Sequence, residues 1–238
     1  MIKPGDRLKL LREKIQQKGF VRIIEAHNGI SALVGEAASA HDGSSVVEYD
    51  GLWESSLTDS ASKGFPLSHA IEGYWSKRAT PATGGLALGA SRLVFVQLAR
   101  LKNSPKDLAA WRLAMEGSML AGLTISNAQT TAVHAVSYPI TVFYGVPHGL
   151  ACSLLLPAMI RFNSGAIAPD KEQRLLENLG VDSMVHVAES VECLQSQLEL
   201  PSRLADVGIG IGEISKIVGN NYWPDRMANN PKVICADQ

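Results

Sequence analysis

The sequence predicts a mainly α protein, in which a short α/β segment precedes a helical domain. Between residues 20 and 55, short runs rich in β-branched residues flank one helical stretch. From residue 67 onward, nearly every segment carries apolar residues at helical spacing, with Gly, Pro and Asn in the gaps. This change in the spacing of apolar residues predicts two parts, a partial α/β segment at 1–64 and an all-helical domain at 65–238.

The first part is predicted to contain helices and strands in alternation. A helix is expected over residues 6–18, with Gly19 as its stop. A buried strand at 20–26, a helix at 30–40 and a second strand at 46–55 follow. Because a β-α-β order is typical of a parallel sheet, the two strands are expected to lie side by side.

The second part is predicted to be a series of helices. They are expected at residues 67–78, 83–101, 107–122, 127–138, 148–162, 170–178, 183–198 and 213–220. The fourth of these is expected to end before Pro139, because proline lacks an N–H and clashes with the preceding turn. Pro147 is typical of a helix start, which predicts His148 in the first turn of the next helix.

Composition argues against several functional classes. The chain is 46% hydrophobic and 19% charged with a net charge of −1, so no nucleic-acid partner is expected. The longest apolar run, 150–160, is too short to span a bilayer and contains a proline. The three cysteines lack CxxC spacing, which indicates neither a disulfide framework nor a cysteine-based zinc site. Because charged residues stand near the N-terminus, a cytoplasmic protein without a membrane partner is expected.

Three histidines carry the main functional signal. The helix that contains His134 and the helix that begins near His148 are joined by a turn, so both imidazoles can converge on one metal ion. His69 opens a third helix and can complete a three-histidine set. Neutral imidazole favours zinc, iron, nickel or copper over cations that prefer oxygen ligands. The spacing alone leaves open the alternative that each histidine is a hydrogen-bonded core residue.

Two motifs resemble those of a known family. HAVSYPITVFYGVPHG, which begins at His134, resembles the iron-containing (group III) alcohol dehydrogenases, whose two metal-binding histidines stand fourteen residues apart before a closing PHG. His134 and His148 match both positions. HAIEGYWSKRATP resembles the other metal-binding segment of that family, with His69 at its histidine. The strings AGLTISNA and DRMANNP are also similar to the family, and the resemblance covers about residues 66–238.

The sequence departs from the family pattern at three places. The first metal ligand of the family is an aspartate four residues before the histidine matched by His69, where this chain has Phe65. A further active-site histidine of the family is replaced by Tyr138, which becomes the candidate catalytic residue by this match. The family binds NAD(P) on a preceding α/β domain, but no GGGS-like or GxGxxG strand-to-helix turn occurs here. GIGIGE, residues 208–213, follows no predicted strand and is predicted to be a loop.

The resemblance implies an oxidoreductase domain in which a divalent metal, iron or zinc, polarises an alcohol or aldehyde for hydride transfer. NAD(P) is the cofactor of the family, although its binding domain is not recognised in this sequence. The SYP variant at 137–139 is most similar to the branch that acts on phosphonate aldehydes and keto acids. A small-molecule substrate is therefore expected. The alternative is a catalytically inactive interaction module, present as a homo-oligomer or associated with a full-length reductase.

The first sixty-four residues resemble a different family. RIIEAHNGISALVGE and EYDGLWESSLTDSASKG resemble the opening of the phosphoenolpyruvate mutase and phosphonopyruvate hydrolase group. By this resemblance Trp53 and Ser55 would line a phosphonate or carboxylate pocket, which makes substrate binding there a second alternative. Only two β-α units of an eight-unit barrel are matched, so mutase activity is not expected. The change of family at 64–67 suggests a fusion of two neighbouring genes of phosphonate metabolism.

Overall fold

The computed structural model describes residues 4–19, 23–26, 39–41, 46–48, 51–54, 66–219 and 223–234. Backbone contacts divide the chain into two units, Met1–Ser62 and Lys63–Gln238. The boundary predicted at residue 64 falls between described residues and stays a prediction.

The first unit contains one described helix and four short strands. They are α1 (Pro4–Lys18), β1 (Ile23–Ala26), β2 (Ser39–His41), β3 (Val46–Glu48) and β4 (Gly51–Glu54). β1 pairs with β4 in parallel, with Ile23 opposite Gly51, and β2 pairs with β3 in antiparallel orientation. The helix predicted at 30–40 lies outside the described residues except for its last two positions, which belong to β2. The α/β character of this segment stays a prediction.

The second unit is built from nine described α-helices. They are α2 (Pro66–Trp75), α3 (Pro81–Asn103), α4 (Leu108–Ala128), α5 (Ala132–Tyr144), α6 (His148–Asn163), α7 (Pro169–Leu179), α8 (Met184–Gln197), α9 (Ile214–Gly219) and α10 (Pro224–Ala228). Two short 3₁₀ turns, Leu204–Val207 and Ile211–Glu213, precede α9. The described residues are therefore mainly helical, which confirms the predicted fold class.

Helix α2 forms the centre of the second unit. All ten of its residues are buried, and it packs against both α3 and α4. A helix that is apolar on most of its surface is stable only when neighbours cover every side. Gly73 allows α4 to approach closely, because a Cβ atom at this position would lie 2.3 Å from the Cγ2 atom of Thr124. His69 is thereby held in the interior rather than on a surface helix.

The prediction that the helix carrying His134 ends before Pro139 is wrong. Helix α5 contains Pro139 in its interior and ends at Tyr144, where Gly145 follows with a φ of 68°. Proline removes one intrahelical hydrogen bond and crowds the preceding turn. Burial offsets this cost, because the additional turn carries Ile140 into an apolar cluster. The other buried members of that cluster are Val146, Ala151, Ile209 and Ile217.

Helix α3 is long and apolar enough to cross a membrane by length and composition alone. It begins at Pro81 with a capping box, in which Thr80 accepts a hydrogen bond from the backbone N–H of Thr83. Ala87, Ala90 and Val94 are buried, and the helix packs against α2 and α4. One helix of this kind is weak evidence for a membrane span, because core helices of soluble proteins meet the same criteria; about 33% of the most apolar stretch of α3 is buried.

The close approach of α2 and α4 predicts a marked difference between two glycine substitutions. Gly73→Ala is expected to lower the free energy of unfolding by about 1–3 kcal/mol, because the added methyl group overlaps Thr124. Gly85→Ala is the matched control, since among the described residues no side chain or neighbouring element lies within 4 Å of its added Cβ, and alanine is the better helix former. Urea unfolding followed by circular dichroism measures both. Equal stability of the two variants would contradict the packing argument.

Candidate metal centre

The structure brings the three predicted histidines together where α2, α5 and α6 meet. His69 is 5% exposed and His134 is 2% exposed, and their rings stack with centroids 4.6 Å apart. His148 is half-buried at the first position of α6, and its ring centroid lies 5.2 Å from that of His134. The three imidazoles thus form one cluster, and their role as metal ligands stays a prediction.

A buried carboxylate fixes the orientation of His134. Glu72 is fully buried in α2, one turn after His69, and its Oε2 atom is hydrogen-bonded to Nδ1 of His134. Its Oε1 atom accepts hydrogen bonds from the backbone N–H groups of Thr131 and Val133, at 3.0 and 2.9 Å. The hydroxyl of Thr131 donates a further bond of 2.6 Å to the same oxygen. Glu72 therefore caps the start of α5 and selects the Nδ1–H tautomer of His134.

The remaining ring nitrogen of His134 has no hydrogen-bond partner among the described residues. Its Nε2 atom is buried, although Nδ1 of the same ring is bonded to Glu72. A buried polar atom without a partner costs about 1–3 kcal/mol, so an unpaired atom in a packed interior calls for an explanation. A metal ion bound to Nε2 would supply the missing partner, and the carboxylate–histidine pair is the arrangement that metal-binding histidines commonly have.

The electrostatic surroundings of the two buried histidines differ. Burial lowers the pKa of His69 well below its usual value, and the neighbouring His134 and His148 lower it further. Burial opposes protonation of His134 as well, but the charges of Cys152 and Glu72 outweigh it and raise the pKa of His134 well above its usual value. The imidazole of His69 is thus neutral at pH 7, which is the form that binds metals.

A cysteine adjoins the cluster on α6. Cys152 lies one helical turn after His148, and its Sγ atom is 3.8 Å from Nε2 of His148. The thiol donates a hydrogen bond of 3.3 Å to Oγ of Ser137. Burial disfavours the thiolate, but His134 and His148 outweigh this and lower the pKa of Cys152 to about 6. Ligand atoms of His134, His148 and Cys152 all lie within 4.8 Å of one another.

Sequence reasoning missed both Glu72 and Cys152. The available signals were a carboxylate three residues after His69 in an otherwise apolar helix, and a cysteine four residues after His148. Both spacings place two side chains on the same face of a helix. Cys152 is a single cysteine that adjoins histidines, so it carries no CxxC signature.

Tyr138 lies beside the cluster. Its ring is nearly parallel to that of His148, with centroids 5.3 Å apart. The guanidinium carbon of Arg226 is 5.5 Å from the centre of the Tyr138 ring and 5.2 Å from that of Trp223. The catalytic role of Tyr138 stays a prediction.

Three sequence predictions fall outside what the structure describes. The backbone of Trp53 belongs to β4, but the placement of its side chain is not described. Ser55 and Phe65 lie outside the described residues altogether. Substrate binding by Trp53 and Ser55 therefore stays a prediction.

Residues 66–238 match the family described as the Fe-containing alcohol dehydrogenase family, C-terminal. The chain is 29% identical over 181 residues to 1,3-propanediol dehydrogenase of Citrobacter freundii, covering 70% of this chain and 46% of that protein. It is 30% identical to lactaldehyde reductase of Escherichia coli (strain K12), over 60% of this chain and 39% of the relative. The chain thus spans less than half the length of these curated relatives.

The chain is also similar to solved structures of oxidoreductases. Sulfoacetaldehyde reductase from Bifidobacterium kashiwanohense, in complex with NAD+, superposes with a TM-score of 0.69 at 29% identity. The match covers 81% of this chain and 54% of that one. A 1,3-propanediol oxidoreductase superposes with a TM-score of 0.68 at 26% identity, over 80% of this chain and 54% of that one.

The buried carboxylate predicts a large effect of Glu72→Ala on stability. The substitution leaves two backbone N–H groups and the Nδ1 atom of His134 without their acceptor, so the free energy of unfolding is expected to fall by about 3–5 kcal/mol. Glu116→Ala is the control, because this glutamate of α4 is exposed and pairs with Arg112 on the same helix. Its effect is expected to stay within about 0.5 kcal/mol. Comparable losses in both variants, measured by chemical denaturation, would contradict the role of Glu72.

Proposed function

Because the chain belongs to the iron-containing alcohol dehydrogenase family, we propose that residues 66–238 are the metal-binding domain of such an oxidoreductase. In this proposal His69, His134 and His148 hold one divalent metal ion, iron or zinc. The observation that carries the proposal is the buried Nε2 atom of His134, which lacks a partner while Nδ1 is fixed by Glu72. Imidazole donors of this kind suit both metals.

In this proposal the histidines of the cluster would bind the metal, and Glu72 would orient one of them. When bound, the metal would act as a Lewis acid on the oxygen of an alcohol or aldehyde. Glu72 holds the ring of His134 in place and increases its basicity through the Nδ1 bond. Tyr138 stacks against the half-buried His148, where its phenol can exchange a proton with a substrate oxygen. NAD(P) is proposed as the hydride carrier, consistent with the NAD+ in the structure of a relative.

The proposed substrate is a small aldehyde or keto acid with an anionic head group. The SYP motif at 137–139 favours a phosphonate, and one similar structure is that of a sulfoacetaldehyde reductase. Arg226 places a positive charge near Tyr138, which would favour an anion at this side of the cluster. Phosphonate binding by Trp53 and Ser55, and a fusion of two genes of phosphonate metabolism, rest on sequence resemblance alone.

A second candidate function is association with another protein chain. Helix α4 exposes four large apolar side chains at four-residue spacing, and these therefore share one face: Trp111, Met115, Met119 and Leu123. An apolar face of this kind is typical of an association surface. The occupant would be a second copy of this chain or a full-length reductase that carries a dinucleotide site.

The metal proposal predicts that His134→Ala purifies with little bound metal, because Nε2 of His134 is lost from the centre of the cluster. His186→Ala is the matched control, since His186 is exposed on α8 and pairs with Asp182. Elemental analysis after gel filtration gives the metal content, and reduction of phosphonoacetaldehyde and propionaldehyde with NAD(P)H gives the activity with added zinc or iron. Equal metal content in the wild type and in His134→Ala contradicts the proposal. Loss of metal in His186→Ala instead would place the metal on the surface.

The association proposal predicts that the purified chain forms an assembly that Met119→Glu dissociates, because a charge is placed on the apolar face of α4. Arg112→Glu changes the charge on the same helix without removing an apolar side chain and is expected to leave the assembly intact. Light scattering coupled to gel filtration measures both. A wild-type chain that is monomeric, alone and mixed with a full-length reductase, contradicts this second candidate.

A further inference from the structure

The cluster contains a sulfur donor that the three-histidine set leaves out. We propose that the Sγ atom of Cys152 is a ligand to the same metal ion that His134 and His148 hold. This inference rests on the proposed function, because it requires a metal at the histidine cluster. It adds a thiolate to a site that the sequence pattern describes only with imidazoles and, in the family, an aspartate.

The distances fit a common metal. The ligand atoms of His134, His148 and Cys152 lie within 4.8 Å of one another, and Sγ is 3.8 Å from Nε2 of His148. A tetrahedral zinc site with zinc–nitrogen bonds of about 2.0–2.1 Å and a zinc–sulfur bond of about 2.3 Å separates nitrogen from sulfur by about 3.6 Å. The separation of Cys152 Sγ and His148 Nε2, both on α6, is therefore close to the value that a shared zinc ion requires.

A second observation, on the neighbouring helix, also indicates a ligand at this point. His134 belongs to α5, a different helix, and its buried Nε2 atom has no partner among the described residues. The Nδ1 atom is bonded to Glu72, so Nε2 is the atom left to bind an ion. Donors from two helices thus converge on one point, which a lone cysteine would not explain.

The hydrogen bonds around Cys152 are compatible with loss of its proton. Ser137 accepts the thiol hydrogen bond at 3.3 Å, and its own hydroxyl donates to the backbone carbonyl of His134 at 2.9 Å. On coordination the thiol releases its proton to solvent and sulfur donates an electron pair to the metal. Ser137 keeps its bond to the carbonyl, so no donor of the cluster is left unpaired by the change.

The thiolate would take over the negative charge that the missing carboxylate provides in the family. Phe65 stands at the position of that aspartate and has no atom that binds a metal. With His69, the residues that would hold the ion are three histidines and one cysteine. Because thiolate is a soft ligand that selects zinc over metals that prefer oxygen, the site is expected to favour zinc.

Cobalt(II) substitution tests this inference without relying on activity. The metal-free full chain is loaded with cobalt(II), passed through gel filtration and examined for cobalt content and for thiolate-to-cobalt charge-transfer absorption in the near ultraviolet. The wild type is expected to show the band. Cys193→Ser is the matched control, because Cys193 is a free cysteine exposed on α8, and this variant is expected to keep the band.

The variants separate the cysteine from the histidines. Cys152→Ser and Cys152→Ala are expected to retain folded circular dichroism and to bind cobalt about 10–100-fold more weakly, without the band. Cobalt bound by the wild type without a charge-transfer band, or a band that survives in Cys152→Ser, would overturn the cysteine ligand but leave the histidine site intact. Absence of cobalt binding by the wild type would overturn the proposed function itself.

Discussion

The helical unit depends on the hydrogen bonds that the buried carboxylate of Glu72 accepts. One oxygen binds the N–H groups of Thr131 and Val133, and the other binds His134, so a single side chain joins α2 to the start of α5. Trp75 adds to this connection by donating a 2.9 Å hydrogen bond to the hydroxyl of Thr131. A charged group inside a protein is tolerated only when such partners surround it. The bonds that connect α2 to α5 therefore also fix the orientation of His134 in the cluster.

The placement of the cluster follows from the packing of α2. This helix is buried along its entire described length, and Gly73 removes the side chain that would keep α4 away. His69 and Glu72 consequently lie in an interior where electrostatic interactions are strong. The same burial lowers the pKa of His69. The close packing of α2 therefore accounts both for the interior position of His69 and for its lowered pKa.

Much of this arrangement could be predicted from sequence, and the failures have physical causes. Periodicity predicted the helical unit, and the spacing of His134 and His148 predicted that they would adjoin. The prediction for Pro139 failed because a local rule about proline competes with the burial of Ile140, which only the tertiary structure reveals. Glu72 was missed because its hydrogen-bond partners are about sixty residues away in sequence. Cys152 was missed because it adjoins histidines rather than a second cysteine. Family resemblance supplied the oxidoreductase assignment, which spacing alone left open.

The bond between Glu72 and His134 also has a consequence for when the cluster is assembled. The two residues are 62 positions apart in the chain, so no local segment can fix the orientation of the imidazole. The ordered cluster therefore requires α2 to be docked against α5. A ligand that recognises the finished cluster therefore discriminates the native chain from partly folded ones, and its binding energy adds to native stability.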